Sequence, residues 1–485
     1  MGIRFILAVA LFIVPLVNAQ DVQFVDQLDE IVPRLLDEYS VPGAAIALIE
    51  NGEIIAMQGY GYADVQNGTP VTENTQFRLG SISKPFTAWA LLKLAEDGLV
   101  NLDLPADTYL ERWEIPSGSF DASRVTIRRL LSHTAGTSVE YFDDYGPTET
   151  VPELVDLVSG ADRDHHRVEL VKPPGLQWLY SDGGYAILEM IVEDVTGSTF
   201  EEYVSEKILD GLKISSTGYS ASRQLATSYN SVGTRLVEEQ YASKAASGLY
   251  STLSDMAAFA AMNLGATASD DFKTDVISEE SLLLAQTPAP DTRGGYGLGY
   301  STRLTLAGDA VVGHGAAAAG WHSNFAVLPA RGQGIVILTN SSSGGNVTTL
   351  VRCSWYQAII GAMPAGACKT DIAARIVKPL MDEGVEEAIR QFRSLVSRTG
   401  EYNVDEWQLN GLGYDLLASG RIDDAVRIFE VNVEFFTSHA NPHDSLAEAY
   451  MLQGNTEGAR THFQRSLEID PSNDNARDKL LKLGS

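Results

Sequence analysis

The chain has 485 residues, with 64 Asp and Glu against 35 Lys and Arg, for a formal net charge of −29 at pH 7. That excess of acid speaks against nucleic acid or an anionic membrane surface as a partner. The length is enough for an ample core and suggests two or three domains.

The opening MGIRFILAVALFIVPLVNAQ carries one basic residue, Arg4, then an apolar run too short to span a membrane, then small residues ending at Ala19. It reads as a cleaved secretory signal over residues 1–19, which predicts an exported protein, periplasmic or secreted, with no membrane span. VQFVDQLDEIVPRLLDEY has helical spacing and leads into two apolar runs split by Asn51-Gly52, a dipeptide suited to a two-residue hairpin whose central positions need positive φ. From about Ser81 to Asn263 the pattern is mainly helical with long loops, as in VTIRRLLSHTAG and GGYAILEMIVEDVTG. Strand patterns return over 296–340, and a helix over 347–360 should cover the sheet. Cys353 and Cys368 lie 15 positions apart in a chain expected to leave the reducing cytoplasm, so they are expected either to form a local disulfide or to stay as two buried thiols.

After residue 365 a 34-residue period appears: Gly420 recurs as Gly454, Ala425 as Ala459 and Phe429 as Phe463. The pattern resembles tetratricopeptide repeats. It divides the chain into a domain over 20–365, a linker with a degenerate repeat over 366–402, and an all-α solenoid over 403–485. Stacked repeats offer a groove for a protein partner or for self-association, or serve only as a stabilising appendage.

In Ser81-Ile82-Ser83-Lys84 the i to i+3 spacing puts the Ser81 hydroxyl and the Lys84 amine on one face of a first helical turn, whose positive end favours an oxyanion. A serine needs such a neighbour to act as a nucleophile. Alone the signal is weak, since a Ser three before a Lys arises by chance about twice in a chain this long. Ser83 adjoins Lys84 and points to another face.

The surrounding FRLGSISKPFTAWALLKLAEDG, with TIRRLLSHTAG, PPGLQWLYSDGGYAILEMIVEDVTG and GHGAAAAGWHSNFAVLP, resembles the serine β-lactamase and penicillin-binding protein superfamily, in particular its class C β-lactamase-like branch. The resemblance covers about 22–362 and implies an α+β fold, an antiparallel sheet flanked by helices plus a helical subdomain. Three motifs correspond: Ser81 to Lys84; Tyr180-Ser181-Asp182 for the usual Tyr-x-Asn; and His314-Gly315-Ala316 for Lys-Thr-Gly or His-x-Gly. It implies that Ser81 is acylated, that Lys84 and Tyr180 carry its proton, with the ammonium lowering the phenol's pKa, and that the N–H groups of Ser81 and Ala317 bind the oxyanion. No metal or cofactor is called for, and none of the eight histidines forms an evident zinc cluster.

Two departures bear on the substrate. Ionised Asp182 only accepts hydrogen bonds where an Asn would also donate, and favours a charged Lys84. At Ala316 a methyl stands where glycine lets substrate approach the strand, so the site should be tight or altered. His314, mostly neutral at pH 7, lacks the permanent charge that helps hold a β-lactam carboxylate. The expectation is therefore a serine hydrolase cutting an ester or a D-amino-acid peptide bond, with a β-lactamase or an inactive cell-wall-peptide scaffold as alternatives. His133 reads as a structural hydrogen-bonder. Trp321 and His322 are expected to line or support the site, and His165 and His166 lie in a polar loop.

Overall fold

A computed structural model describes residues 19–361 and 367–484. The leader expected over residues 1–19 lies outside the described residues apart from Ala19 in a helix, Ala19–Glu38. Gly43–Glu50 and Glu53–Asp64 form the expected hairpin, and both Asn51 and Gly52 adopt positive φ, 50° and 77°. These strands belong to a seven-stranded sheet in the order Thr69–Pro70, Glu53–Asp64, Gly43–Glu50, Gln333–Thr339, Trp321–Leu328, Ala310–Ala318, Ser301–Leu304, every neighbouring pair antiparallel.

The Gly43–Glu50 strand is buried on both faces, and its alternating residues feed two cores. Ala44, Ile46 and Leu48 pack with Leu28, Val351 and Trp355 from the helices Ala19–Glu38 and Gly344–Ile360. Ala45, Ala47 and Ile49 face the larger core, which holds Phe86, Trp89 and Phe259. At its centre runs the helix Ser83–Glu96, apolar nearly all round because it is buried nearly all round. Pro85 sits in the first turn, where its missing N–H costs nothing. The indole of Trp89 donates to the Tyr300 hydroxyl at 2.7 Å, which donates to Asn263 at 2.7 Å, so this apolar centre holds no unpaired polar group along that chain.

Beyond residue 366 the chain forms three helical hairpins, Ile372–Asp382 with Val385–Leu395, Glu406–Ala418 with Ile422–Phe435, and Ala440–Gln453 with Thr456–Ile469, then a helix Asp474–Gly484. The 34-residue period has a packing cause. Ala425, Ala459, Phe429 and Phe463 are fully buried, and Gly420 and Gly454 take positive φ just past their helices. The segment expected as linker plus degenerate repeat holds the first complete hairpin. Its junction is stapled by a disulfide between Cys353 and Cys368. The repeats dock on the sheet-bearing domain: the Ser231 N–H and hydroxyl donate to the Asp415 carboxylate, the former at 2.9 Å, and Lys378 pairs with Asp37 at 3.2 Å. Among the described residues no helix is long and apolar enough to cross a membrane.

Candidate active site

Ser81 lies in a short 3₁₀ turn, Gly80–Ile82, that runs directly into the Ser83–Glu96 helix. Gly80 takes φ 51°, and a Cβ there would come within 3.1 Å of the Ala316 methyl, so glycine lets this turn press against the Ala310–Ala318 strand. The Ser83 hydroxyl donates to the Gly80 carbonyl at 2.7 Å and accepts from Leu249 N–H at 3.0 Å, which ties the turn down and leaves Ser83 no part in the chemistry.

Three groups converge on Ser81. The Tyr180 hydroxyl donates to its Oγ at 2.9 Å, and Lys84 Nζ reaches the same oxygen at 3.4 Å. Lys84 is fully buried, and Nζ also donates to Asp182 Oδ1 at 2.7 Å and to the Ala246 carbonyl at 3.0 Å. Burial opposes its charge, but the Asp182 carboxylate and the Tyr180 oxygen outweigh this and raise its pKa, so Lys84 is held as an ammonium. Burial pushes the Asp182 carboxyl up and the ammonium pulls it back. Asp182 begins the helix Asp182–Thr196, where a negative charge is favoured.

Tyr180 departs from the sequence expectation. Burial raises its pKa by more than Lys84 lowers it, and Asp182 raises it further. The phenol is thus a proton donor at rest. Its ring lies on that of His133, centroids 4.2 Å apart, while His133 Nδ1 accepts from Ser181 N–H at 3.1 Å and its carbonyl accepts from Leu179 N–H at 2.7 Å. His133 clamps the chain on both sides of Tyr180, the structural role that its place at a helix end suggested.

His314 is buried, its Nε2 accepting from the Tyr296 hydroxyl at 2.9 Å and its Nδ1–H donating to the Gly315 carbonyl at 2.7 Å. Burial, helped by the Lys84 charge, takes its pKa down to about 3, so the ring is neutral. Gly315, Ala316 and Ala317 follow along the same strand, and with Ser81, Tyr180 and His322 they line a cleft of about 650 Å³. The Ala316 methyl sits over Gly80 and lines this cleft. Trp321 is buried edge-on against Phe77, centroids 6.1 Å apart, and is not placed to stack on a substrate.

Several lining residues carry no motif and escaped sequence reasoning. Arg352, from the Gly344–Ile360 helix, enters the cleft and makes no ion pair among the described residues. A smaller cavity of about 220 Å³ shares Ser81, Tyr141 and Ala317 with this cleft and is lined further by Asp144, Glu239 and Tyr241. No sequence spacing relates these residues to Ser81; long loops bring them there.

Away from this site, Asp143, His165 and His166 bring ligand atoms within 4.8 Å of one another, a grouping the loop sequence did not show. Arg163 sits on the same Asp143 oxygen at 3.0 Å, and both nitrogens of His166 are taken, one by Asp162 and one by the Asp143 N–H. That arrangement is a local ion-pair network.

The antiparallel sheet, the helical subdomain bearing Tyr180 and the serine between them define the fold and site of the serine β-lactamase and penicillin-binding-protein type. The chain belongs to the beta-lactamase family, which matches residues 28–350, and a tetratricopeptide repeat matches residues 440–473. Protein flp of Staphylococcus aureus is 28% identical over 195 residues, 40% of this chain but only 38% of that relative's length. Among solved structures, the octameric penicillin-binding protein homologue from Pyrococcus abyssi is similar with a TM-score of 0.59 and 26% identity, covering 70% of this chain and 78% of that one. The crystal structure of SurE with D-Leu is similar with a TM-score of 0.57 and 26% identity, covering 70% of this chain and 77% of the other.

Proposed function

We propose that this is an exported hydrolase that forms an acyl-enzyme on Ser81 and cleaves an ester or a D-amino-acid-type amide bond. The observation that carries the reading is the convergence of Tyr180, at 2.9 Å, and Lys84, at 3.4 Å, on the oxygen of Ser81. At rest both neighbours donate to that oxygen, so the reactive form is the one in which Tyr180 has lost its proton beside the Lys84 ammonium. The phenolate then takes the Ser81 proton as Oγ attacks the carbonyl, and passes it to the leaving oxygen or nitrogen as that bond breaks. The N–H groups of Ser81 and Ala317 receive the negative charge that develops on the carbonyl oxygen. Water, deprotonated by the same phenolate, releases the acyl group.

Support for a D-amino-acid group comes from the SurE relative, whose structure holds D-Leu. The neutral His314 weakens the case for a β-lactam, although Arg352 supplies a cation in the same cleft. A disulfide at the domain junction accords with an oxidising compartment, and the repeats accord with a protein partner.

Labelling with a fluorophosphonate, followed by a panel of p-nitrophenyl esters, D-alanyl amides and nitrocefin, tests the reading. Label lost in Ser81→Ala together with turnover of an ester or D-alanyl amide is the expected result. An unlabelled wild-type protein, under conditions that label a related hydrolase, would point to a scaffold, and nitrocefin turnover above all other substrates would point to a β-lactamase.

A further inference from the structure

The cleft around Ser81 has two lobes of opposite polarity. Tyr180 and Arg352 line the larger. The smaller, of about 220 Å³, contains Ser81 and Ala317 but not Tyr180, and its walls carry Asp144, Asp182 and Glu239. Tyr180 delivers the leaving group's proton under the function proposed above, on which this inference rests. The leaving group therefore lies in the larger lobe, and the acyl part falls to the acidic one.

Charges in the small lobe do not cancel. Lys84 balances Asp182 at 2.7 Å. Arg78, buried beneath the pocket, faces both Asp144, at 3.4 Å, and Glu238, at 3.2 Å, with its guanidinium stacked 3.5 Å from the Tyr241 ring. One arginine thus serves two carboxylates, and Glu239 has no cation opposite it among the described residues. Burial, opposed by Arg78 and helped by the Glu239 charge, pushes the pKa of Asp144 up to about 6. An independent sign of a missing partner is the Tyr241 hydroxyl. Tyr241 lines this lobe, and its hydroxyl, beside Gly80, is closed off from solvent and has no hydrogen-bond partner among the described residues. A buried hydroxyl left unpaired is costly, so a ligand group that pairs with it is favoured.

A bare divalent ion does not fit, because the carboxylates of this lobe do not gather their oxygens into a ligand cluster among the described residues. A molecular cation fits better. Its N–H groups suit the Glu239 carboxylate and the Tyr241 oxygen on the walls of this lobe, and the Tyr141 ring, 64% exposed, offers it a face. Such a cation would also offset the negative surroundings that oppose an oxyanion at Ser81. We propose that the lobe formed by Glu239, Tyr241 and Asp144 binds a primary ammonium on the acyl part of the substrate, making this a hydrolase of aminoacyl derivatives with a free amine.

The test compares D-alaninamide with N-acetyl-D-alaninamide, titrated by ligand-observed NMR onto the Ser81→Ala protein, which binds without turnover. The free amine should bind at least tenfold more tightly. Glu239→Gln in the same background should abolish the preference, and Glu239→Lys should turn it toward an N-succinyl analogue. Equal or tighter binding of the acetylated ligand, or a preference that survives Glu239→Gln in a protein with unchanged circular dichroism, would overturn the inference. Failure of the serine reading is recognised separately, by absence of fluorophosphonate labelling in the wild type.

Discussion

The Tyr180 hydroxyl donates to the Ser81 oxygen at 2.9 Å although 99 positions separate the two residues. The serine comes from the turn that leads into the central helix and the tyrosine from the loop before another helix, Asp182–Thr196, so only the packing of the helical subdomain onto the sheet brings them together.

If that contact is the proton path, Tyr180→Phe removes it while keeping the ring on His133. Ester turnover should fall by about 10² to 10⁴ in kcat/KM, the usual worth of a positioned acid–base group. Thermal unfolding should move little. A variant with near-wild-type kcat/KM would exclude Tyr180 from proton transfer.

Asp182 raises the proton affinity of both Lys84 and Tyr180. Because Tyr180 is raised above its ordinary value, kcat/KM should climb with pH through the neutral range into the alkaline. Asp182→Asn removes one negative charge and lowers both affinities, so the climb should shift toward lower pH, by about one unit for each 1.4 kcal/mol of interaction lost. The same change leaves the buried ammonium without its counter-ion and should cost about 3 kcal/mol of stability. A pH profile identical to wild type would show that Asp182 does not govern the base.

His314 has its pKa lowered by burial and by Lys84 to about 3. For a depressed histidine the stabilisation is present above the unfolded value near 6.5 and is lost as pH falls toward the folded one. One such group accounts for about 2 kcal/mol between pH 7 and pH 5. The melting temperature should therefore drop over that interval, and drop less in His314→Gln. Equal drops in the two proteins would refute the assignment.

The Cys353–Cys368 bridge closes a loop of 15 positions. Its removal as Cys353→Ser with Cys368→Ser should cost about 3 kcal/mol by the chain-entropy estimate. Dithiothreitol should lower the unfolding midpoint of the wild type and leave that of the double variant unchanged.

Asp415 accepts both the N–H and the hydroxyl of Ser231, and burial raises its pKa. Asp415→Ala leaves the Ser231 N–H unpaired and should loosen the repeats from the hydrolase domain. Faster loss of the repeats in limited proteolysis, with fluorophosphonate labelling at Ser81 retained, is the expected outcome.

Local sequence determined a good deal. Asn51-Gly52 set a hairpin because both residues tolerate positive φ, the 34-residue period set the stacked hairpins because Ala425, Phe429 and their counterparts must be buried alike, and the Ser81 to Lys84 spacing put hydroxyl and amine on one helical face. These are short-range consequences of backbone preference and periodic burial. What tertiary structure alone decided is the balance of charge and solvation among distant groups. The family resemblance implied a lysine beside a phenol and, with it, an ammonium that makes the phenol more acidic. Burial proved the larger effect and makes Tyr180 less acidic, because desolvation depends on every chain segment packed around it. For the same reason, Glu239, Tyr241 and Arg352 carry no signal in the sequence and become part of the cleft only when loops and helices close around Ser81.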